Sequence, residues 1–585
     1  MTDRIVSHPC VPSIRSAAAL SFFVAALFNL LLLCPPVAAA QSNAGPAAAV
    51  PQSAGTSLAR IAVAGPITAI GLPIYAHLRD ALEQGYVLTI ASPGELEGVR
   101  QPYQVLDTVT VGATYIIARE RRRGARAAAA SRFELLMDDG LQILLRDAAG
   151  VRELLAEMGF AIALLPSRPL VLEPRSIPDS GPLAPGALPR RSASAAAAPY
   201  ADPRVAALIA QIKQEVLYDD ILKLSGKAPM TIGGSPYTIT TRYTGTTDLE
   251  KANQYIYEQL TLPNMAVVYQ DWQSALESGR NIIATLQGKA RPNEIVLVTA
   301  HLDDVPKTAP APGADDNASG VSALLSIARA ASQRSFDRTL RFAVFGGEEG
   351  GQHGSDAYAQ SVATETISAV YNMDMVAWDS DNDPVLNLHT RPVDDPGFAG
   401  DKAIADVFVG VAQSYGLSGL LKPVVIADGS KASDHISFWS RGFAALFAIE
   451  DDKTDWNPNY HSATDTPDSL NKTYMTNYAR ASAATVAHLA YISNTSYTIN
   501  TSAVPAAAGS VTCTPNPVPQ GSSSTCTAKA GNLYRFGSWG RDCAHATTAT
   551  CTLDTVLADK TVIANFVDLS GALPGRGGWR AILGR

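Results

Sequence analysis

The sequence has no cysteine between Cys34 and Cys513, and it lacks an excess of basic charge, a long acidic tail and a repeat of fixed period. The 46 Lys and Arg residues against 54 Asp and Glu residues give a formal net charge of −8. A general basic surface for nucleic acid is therefore absent, and we predict no nucleic-acid partner. Charged residues make up only 17% and hydrophobic residues 46%, which predicts packed interiors rather than a disordered chain. At 585 residues, two or three folded units are expected.

Four of the six cysteines lie close together near the end of the chain. They are Cys513, Cys526, Cys543 and Cys551. No C-x-x-C pair occurs among them, so a zinc ribbon or a thioredoxin-type motif is a poor fit, and two disulfides are the better interpretation. Disulfides in turn predict an oxidising compartment.

The N-terminus supports export. Arg4 and Arg15 precede an apolar run from Ala17 to Cys34, and small residues follow up to Ala40. This pattern is typical of a secretory signal peptide cleaved near Ala40, although an uncleaved anchor has similar features. No other stretch is long and apolar enough to cross a membrane, so we expect no stable membrane insertion after cleavage and a secreted, periplasmic or extracellular location.

Composition and periodicity divide the rest of the chain into domains and linkers. The predicted segments are a signal peptide at 1–40, a linker at 41–57, a small α+β prodomain-like domain at 58–172, a Pro/Ala-rich linker at 173–202, a large α/β domain at 203–495, a small all-β module at 505–568 and a tail at 569–585. The Pro/Ala-rich linker is expected to be open to proteolysis, and we hypothesise that the domain before it is a propeptide.

Two features of the 58–172 domain are ambiguous from sequence. The spacing of apolar residues from Ile74 to Leu82 resembles that of a helix. A basic patch indicates either an anionic partner or a solvated hairpin loop. Its residues are Arg119, Arg121, Arg122, Arg123 and Arg126.

The central 290 residues alternate helical and strand patterns. Apolar spacing predicts one amphipathic helix over 205–217 and another ending at Gly416, and short apolar runs at 295–298, 340–345 and 446–449 predict strands. This alternation predicts a three-layer α/β/α domain with a mostly parallel mixed sheet. In such sheets, functional residues collect beyond the carboxyl ends of the strands.

Histidines and carboxylates follow these predicted strands in order. They are His301 and Asp303, Asp315 and Asp316, Glu348 and Glu349, Asp374, and His461. Each has an ordinary structural explanation on its own, such as helix capping or surface charge. Together they form a nitrogen and oxygen ligand set suited to Zn²⁺, in which one of two adjacent glutamates can bind metal while the other accepts a proton.

This order of motifs resembles the M28 family of zinc peptidases over residues 203–495. The motifs that carry the resemblance are His301-Leu-Asp303, Pro312-Gly-Ala-Asp-Asp-Asn-Ala-Ser-Gly320, Glu348-Glu349, Asn372-Met-Asp374 and Tyr460-His461. A rival metallopeptidase family with an inserted lid domain also has a His-x-Asp-x-x-Pro run, but its next motif differs from the one present here.

The resemblance implies two Zn²⁺ ions per chain, bridged by Asp316. It implies that His301 and Asp374 complete one metal site and that Glu349 and His461 complete the other. It further implies that Asp303 orients the His301 ring and that Glu348 is the general base that activates water and passes the proton to the leaving amine.

One departure from the family concerns the Ser433-Asp434-His435 run. Familiar secreted members have a Tyr three residues before this serine, which helps hold the oxyanion, whereas Ser430 stands there in this chain. Cysteines found nearby in those members are also missing, and Ala432 occupies one of their positions. The extra oxyanion donor is therefore not expected here.

The remaining candidates in the central domain have structural explanations. His353, His389, His435 and His488 are expected to be structural or exposed rather than further ligands. Four aromatic residues could line a substrate pocket, but aromatics in an α/β domain are more often part of the core. They are Trp378, Phe438, Trp439 and Phe443.

The predicted function is a secreted di-zinc aminopeptidase that acts on peptides or proteins. The alternatives are a zinc enzyme of the same fold with glutaminyl cyclase or carboxypeptidase specificity, or a non-catalytic surface-binding protein. The C-terminal module resembles small β-repeat modules of bacterial surface proteins, which would allow contact with a surface or polymer. Within it, pairing of Cys513 with Cys526 and of Cys543 with Cys551 is preferred among three arrangements. Trp539 is either exposed for such contact or packed in a small core.

Overall fold

The computed structural model describes residues 55–175, 201–274, 277–493 and 495–570. The predicted signal peptide, most of both predicted linkers and the segment 571–585 lie outside the described residues. Within the described residues, no helix has the length and apolar character needed to span a bilayer.

The N-terminal region consists of two antiparallel four-stranded sheets. The first has the strand order Ile74–Arg79, Gly85–Ala91, Ser57–Ala62, Tyr103–Thr108, and the second has the order Met137–Asp138, Gln142–Arg146, Tyr115–Glu120, Phe160–Leu164. The short helices Pro93–Glu97, Ala125–Ala130 and Val151–Glu157 connect strands. This matches the small α+β region predicted from the sequence.

The helix expected over 74–82 is wrong, because Ile74–Arg79 is a strand that pairs with Gly85–Ala91. Ile74, Ala76 and Leu78 are all buried, and so are the residues between them. A strand covered on both faces has no polar alternation, and its apolar spacing can be mistaken for that of a helix. Asp80 ends the strand by accepting hydrogen bonds from the N–H groups of Leu82 and Gln84.

The central domain is built on one mixed eight-stranded sheet. Its strand order is Met265–Gln273, Ser278–Leu286, Arg338–Phe345, Arg291–His301, Thr366–Met373, Ala445–Glu450, Val385–Thr390, Lys422–Ala427. The four strands in the middle are parallel, and the strands on either side of them are antiparallel to their inner neighbours. The predicted three-layer α/β/α architecture is therefore confirmed.

Helices cover both faces of this sheet. Alternate residues of the central strand show the two faces, since Val296 and Val298 enter one buried cluster and Leu297 enters another. The larger layer contains Pro203–Ile209, Gln214–Leu224, Thr247–Leu260, Gly320–Ser332, Phe398–Ser414 and Lys472–Leu489. The smaller layer contains His353–Ser361 and His435–Trp439.

The single helix expected over 205–217 is two helices, because the chain is extended at Lys213, with φ −112° and ψ 132°. Ile212 is buried within this break, so the apolar spacing continues through it although the helix does not. The second predicted helix does end as expected, with Gly416 in the left-handed region at φ 73°.

The C-terminal module is all β. Its main sheets have the orders Ile499–Val504, Lys560–Asp568, Tyr534–Arg541 and Gly509–Thr514, Ser524–Ala530, Thr550–Leu553, and a short pair joins Ser496–Tyr497 to Val518–Pro519. Disulfides join Cys513 to Cys526 and Cys543 to Cys551, which is the preferred pairing. Trp539 is 5% exposed and donates its indole N–H to the carbonyl of Thr548, so it packs inside the module.

Candidate metal centre

The predicted ligands meet at the carboxyl edge of the parallel strands. His301 is the last residue of Arg291–His301, and Asp374 directly follows Thr366–Met373. Glu349 lies four residues beyond the strand that ends at Phe345. Because neighbouring parallel strands end at the same edge, residues far apart in sequence converge there.

Asp316 stands between the two histidines. One of its carboxylate oxygens lies 3.2 Å from Nε2 of His301, and the other lies 3.3 Å from Nε2 of His461. Nε2 of His301 is also 3.0 Å from Oδ1 of Asp374, and Nε2 of His461 is 2.8 Å from Oε2 of Glu349. Two groups of ligand atoms thus share one carboxylate.

These separations fit a pair of small cations. Ligand atoms bound at about 2.0 Å around a tetrahedral zinc ion lie about 3.3 Å apart, close to the distances around Asp316. Ligand atoms of His301, Asp316 and Glu349 all lie within 4.8 Å of one another. Oε1 of Glu349 is buried and has no hydrogen-bond partner among the described residues. The donor set and its unpaired oxygen fit Zn²⁺.

The electrostatics of the centre also favour a cation. Burial, and then the charge of Asp316, raise the pKa of Glu349 to about 7. Burial alone would lower the pKa of His461, but the carboxylates of Glu349 and Asp316 raise it to about 10. Both shifts show an excess of buried negative charge, which bound cations would compensate.

Asp303 has a different contact from the one implied by the resemblance. Its carboxylate is 3.8 Å from Nδ1 of His301, beyond hydrogen-bond distance, whereas the backbone carbonyl of Asp303 is 3.2 Å from that nitrogen. The carboxylate instead accepts the backbone N–H groups of Glu348 and Glu349, each at 3.1 Å. Asp303 therefore fixes the turn that carries both glutamates.

The loop that carries Asp316 is held by a carboxylate that the sequence did not single out. Asp465 accepts the backbone N–H groups of Asp315 and Asp316 at 3.0 to 3.1 Å. Asn317 donates to the carbonyl of Met373, next to Asp374. Gly320 permits this approach, because a Cβ there would lie 2.3 Å from Oδ1 of Asn317. Only the position of Asp465 after the His461 loop hinted at its role.

Ser433 gives the Ser433-Asp434-His435 run a definite position in the centre. Its hydroxyl donates to Oδ2 of Asp374 at 2.7 Å and accepts from the side-chain amide of Asn372 at 2.8 Å. Since Asp374 has its other oxygen toward His301, this serine fixes the orientation of a predicted ligand.

Glu348 points into the same pocket without facing a histidine nitrogen. It is 7% exposed, and its Oε1 accepts a hydrogen bond from the side-chain amide of Gln352 at 2.7 Å. Burial first, and then the charges of Glu349 and Asp374, raise the pKa of Glu348 well above its ordinary value. A carboxylate that readily takes up a proton beside a cation site is suited to general-base chemistry.

A pocket open to solvent lies beside these residues, and the empty space within and in front of it is about 420 Å³. Its apolar side is formed by Met375, Phe447, Ile449 and Trp456. None of the four aromatic residues named from the sequence lines it. Phe438, Trp439 and Phe443 lie in the core, as the structural explanation predicted, and Trp378 donates its indole N–H to Asp455.

The N-terminal region closes one side of the pocket. Arg121, Ala161 and Ile162 line it together with the central-domain residues. The side-chain amide of Gln352 donates to the carbonyl of Ile162 at 2.8 Å, and Arg152 donates to the carbonyl of Gly350 at 2.6 Å. Sequence patterns gave no indication of these contacts between distant residues.

Arg121 also corrects the interpretation of the basic patch. The expected solvated loop is wrong at this position, because the Arg121 side chain is 7% exposed and lies 3.0 Å from the carboxylate of Asp452. The patch spans the end of the strand Tyr115–Glu120 and the start of the helix Ala125–Ala130. The anionic partner of Arg121 is thus within the same chain.

The four remaining histidines have protein partners. His389 lies against Asp452 and accepts the N–H of Ser430, and His435 contacts the carbonyl of Ser430. His353 contacts Arg152, and His488 contacts the hydroxyl of Tyr415. These contacts agree with the structural roles expected from the sequence.

Comparisons with known proteins follow the same division of the chain. Residues 281–486 match the model of peptidase family M28, and residues 499–569 match that of the divergent InlB B-repeat domain. A probable leucine aminopeptidase of Trichophyton verrucosum (strain HKI 0517) is 29% identical over 227 residues, which are 37% of this chain and 58% of the relative. The probable lipoprotein aminopeptidase LpqL of Mycobacterium tuberculosis is 30% identical over 222 residues, covering 34% and 42%.

The matched regions therefore span 42% to 58% of the length of these curated relatives. The crystal structure of LapB from Legionella pneumophila superimposes with a TM-score of 0.48 at 18% identity, over 65% of this chain and 100% of that chain. Residues 281–486, which hold the motifs from Glu348-Glu349 to Tyr460-His461, are thus similar to peptidase family M28, and residues 499–569 are similar to the divergent InlB B-repeat domain.

Proposed function

We propose that this protein is an exported di-zinc aminopeptidase. The observation that carries the proposal is the position of Asp316, whose two carboxylate oxygens face His301 on one side and His461 on the other. Asp374 would complete the first metal site and Glu349 the second. The curated relatives named above are aminopeptidases, which supports cleavage at the N-terminal end of a peptide.

The residues of the chain have separate roles in the proposed reaction. When bound, the two zinc ions would supply Lewis acidity that polarises the scissile carbonyl and stabilises the negative charge formed on its oxygen. Glu348 takes a proton from the attacking water, whose oxygen forms a bond to the carbonyl carbon. As the C–N bond breaks, Glu348 donates that proton to the nitrogen of the leaving peptide.

Other side chains would keep this machinery in position. Gln352 holds the carboxylate of Glu348 by its 2.7 Å hydrogen bond, and Asp303 holds the turn that carries it. Ser433 orients Asp374.

The proposed location is outside the cytoplasm. The two disulfides of the C-terminal module indicate an oxidising compartment, as the predicted signal peptide at 1–40 also does. We further propose that residues 58–172 form a propeptide and that the linker at 173–202 is the place of cleavage. The C-terminal module would contact a surface or polymer through its exterior, since Trp539 is buried.

The proposal is tested by zinc analysis and by a panel of substrates. Purified full-length protein should contain about two zinc ions per chain, as expected for the two sites. Aminoacyl-anilides should be hydrolysed, whereas N-blocked peptides should be unchanged and peptides with N-terminal Gln should not be cyclised. Cleavage of N-blocked peptides from the C-terminus would instead indicate a carboxypeptidase, and cyclisation of N-terminal Gln a glutaminyl cyclase. Absence of zinc and of all activity would indicate a binding protein.

A further inference from the structure

The side chain of Arg121 enters the proposed active site from the N-terminal region. Its guanidinium lies 4.5 Å from the ring centroid of Trp456, and its Nη2 donates to the hydroxyl of Ser430 at 3.2 Å. Its Nη1 donates to Oδ2 of Asp452 at 3.0 Å. Arg121 and Trp456 line the same pocket as Glu348 and Glu349. A basic side chain of the N-terminal region thus forms part of the wall of the pocket beside the proposed zinc centre.

Asp452, the carboxylate that accepts from Arg121, is unusual because it is charged and buried. Its side chain is fully buried and accepts one hydrogen bond from the neutral amide of Asn387 at 3.0 Å. Its other close contacts are His389 at 3.0 Å and Lys453 at 3.7 Å, and the Lys453 side chain is 34% exposed. Without a buried cation opposite it, this carboxylate would be poorly compensated, because hydration is lost on burial.

The surroundings of Arg121 are partly apolar and partly acidic. The pocket that Arg121 lines has an apolar side formed by Met375, Phe447, Ile449 and Trp456, and the guanidinium contacts the carboxylate of Asp452, which is buried next to this lining. Arg and Lys bury their methylene stems against apolar surface while their charged ends reach a polar partner. An apolar substrate side chain would contact only the apolar side and would leave Oδ2 of Asp452 without the hydrogen bond that Arg121 donates.

We propose that Asp452 is the specificity residue for substrates with an N-terminal Arg or Lys, and that Arg121 occupies its subsite as a pseudosubstrate while the N-terminal region remains bound. This inference rests on the proposed aminopeptidase function and names its substrate class. Removal of the N-terminal region takes Arg121 away from Asp452 and Trp456. The vacated subsite then accepts the basic side chain of the substrate.

The test uses the full-length protein with a specific protease site inserted between residues 176 and 200. Arg-, Lys- and Leu-anilide hydrolysis is measured before cleavage and, at high dilution, after it. Cleavage should raise kcat/KM for Arg-anilide by at least about tenfold, and the cleaved enzyme should prefer Arg over Leu by at least about tenfold. Asp452→Asn should reduce that preference by a similar factor.

Matched neighbours provide the controls. Asp451→Asn alters the adjacent buried carboxylate, which accepts the backbone N–H groups of Lys453 and Thr454. This variant should leave the ratio of Arg-anilide to Leu-anilide hydrolysis unchanged. Arg121→Met keeps the apolar stem and removes the charge, so the uncleaved variant should already hydrolyse Arg-anilide faster than the uncleaved parent. The exposed side chain of Arg122 donates to the carbonyl of Glu157. The variant Arg122→Met should therefore behave like the unsubstituted protein.

A binding measurement gives a readout that does not depend on turnover. In cleaved protein carrying Glu348→Gln, arginine amide should release the N-terminal fragment at lower concentration than leucine amide, as followed by size-exclusion chromatography. Equal potency of the two amides would contradict shared occupancy of the Asp452 subsite.

The remaining outcomes separate this inference from the proposed function. Hydrolysis of all three anilides with an Arg-to-Leu ratio unaffected by Asp452→Asn overturns the inference and leaves the aminopeptidase proposal intact. Loss of activity on cleavage, together with loss in Arg121→Met, would show that Arg121 assists the reaction and would also overturn it. No hydrolysis of any anilide by zinc-loaded protein would contradict the proposed function itself.

Discussion

Nδ1 of His461 lies 3.1 Å from the backbone carbonyl oxygen of Ala156. This contact turns Nε2 of the same ring toward Asp316 and Glu349. Ala156 belongs to the N-terminal region, in the helix Val151–Glu157. The region proposed as a propeptide thus orients a residue proposed as a zinc ligand.

We expect release of the N-terminal fragment to weaken zinc binding at the His461 site more than at the His301 site. At the other site, Nδ1 of His301 faces the backbone carbonyl of Asp303. This carbonyl belongs to the central domain and stays in place after the N-terminal fragment is released. Loss of a partner on the remote nitrogen of a ligand histidine reduces affinity by about tenfold or more. Chelator titration of cleaved and uncleaved protein, followed by zinc analysis, should show one zinc lost earlier only after cleavage. Simultaneous loss of both ions would contradict this expectation.

If Glu348 is the general base, replacing it should reduce turnover without removing the metal. Glu348→Gln should retain about two zinc ions and lose about 10²- to 10⁴-fold in kcat, because the amide cannot accept the proton. Gln352 can still donate to the new amide oxygen, so the local structure is expected to persist. Glu365→Gln, on a pair with Arg341 away from the pocket, is the control. Zinc analysis and steady-state kinetics are the measurements, and near-normal kcat in Glu348→Gln would refute the role.

Ser433→Ala should weaken zinc at the site formed by His301 and Asp374. The hydroxyl holds Oδ2 of Asp374 at 2.7 Å, and removing such a support costs about 10- to 100-fold in metal affinity. Ser440→Ala is a suitable control, since its parent hydroxyl donates to the carbonyl of Ser437. Competition with a chromogenic chelator measures the difference, and equal affinity in the two variants would exclude a positioning role for Ser433.

The convergence of the proposed ligands was predictable, because they follow strands whose ends meet. The five proposed ligands lie in sequence order beyond the parallel strands of one mixed sheet, and that order needs no knowledge of side-chain contacts. Asp465 was not singled out, because a carboxylate that accepts backbone N–H groups looks like any other acid in a loop. The group that orients His301 is the backbone carbonyl of Asp303 and not its carboxylate, as the resemblance had implied. A backbone carbonyl leaves no signature in the sequence, so this contact was not predictable.

Fold prediction failed where local periodicity was ambiguous or where the decisive contact was distant. The strand Ile74–Arg79 has apolar residues on both faces, so its spacing also fitted a helix. Arg121 and Asp452 are 331 residues apart, and neither local pattern indicated the other. The basic patch was therefore interpreted as a surface feature, although the Arg121 side chain within it is buried.

Acid should destabilise the folded chain through His353. Burial, and then the charge of Arg152, lower the pKa of His353 to about 4. Its pKa in the unfolded chain is about 6.5, so between these values the unfolded state binds more protons and the free energy of unfolding rises with pH. The contribution of His353 should be complete above about pH 6.5 and about 2 kcal/mol smaller at pH 5.

Urea denaturation at pH 5 and pH 8 tests this effect. His353→Gln cannot be protonated, so its free energy of unfolding should differ less between the two pH values than that of the parent. His545→Gln, in the C-terminal module, is the control and should retain the pH dependence of the parent. If the His353 variant keeps that dependence as well, other groups are responsible for it.

Residues at the end of the N-terminal region remain attached to the central domain up to Arg175. The N–H of Val171 donates to the carbonyl of Ser440, and that of Arg175 donates to the carbonyl of Gly442. The Arg175 guanidinium also bonds to the carbonyl of Arg441 and lies 4.2 Å from the ring centroid of Phe443. A cut after Arg175 breaks none of these contacts.

If the chain is cut in the linker as proposed, cleavage of the peptide bond and exposure of the centre are two separate events. The second is a dissociation, and its extent depends on protein concentration. A nicked molecule in a crowded envelope would stay closed, whereas the same molecule spread through the surrounding medium would open. Dilution itself would then act as the final step of maturation.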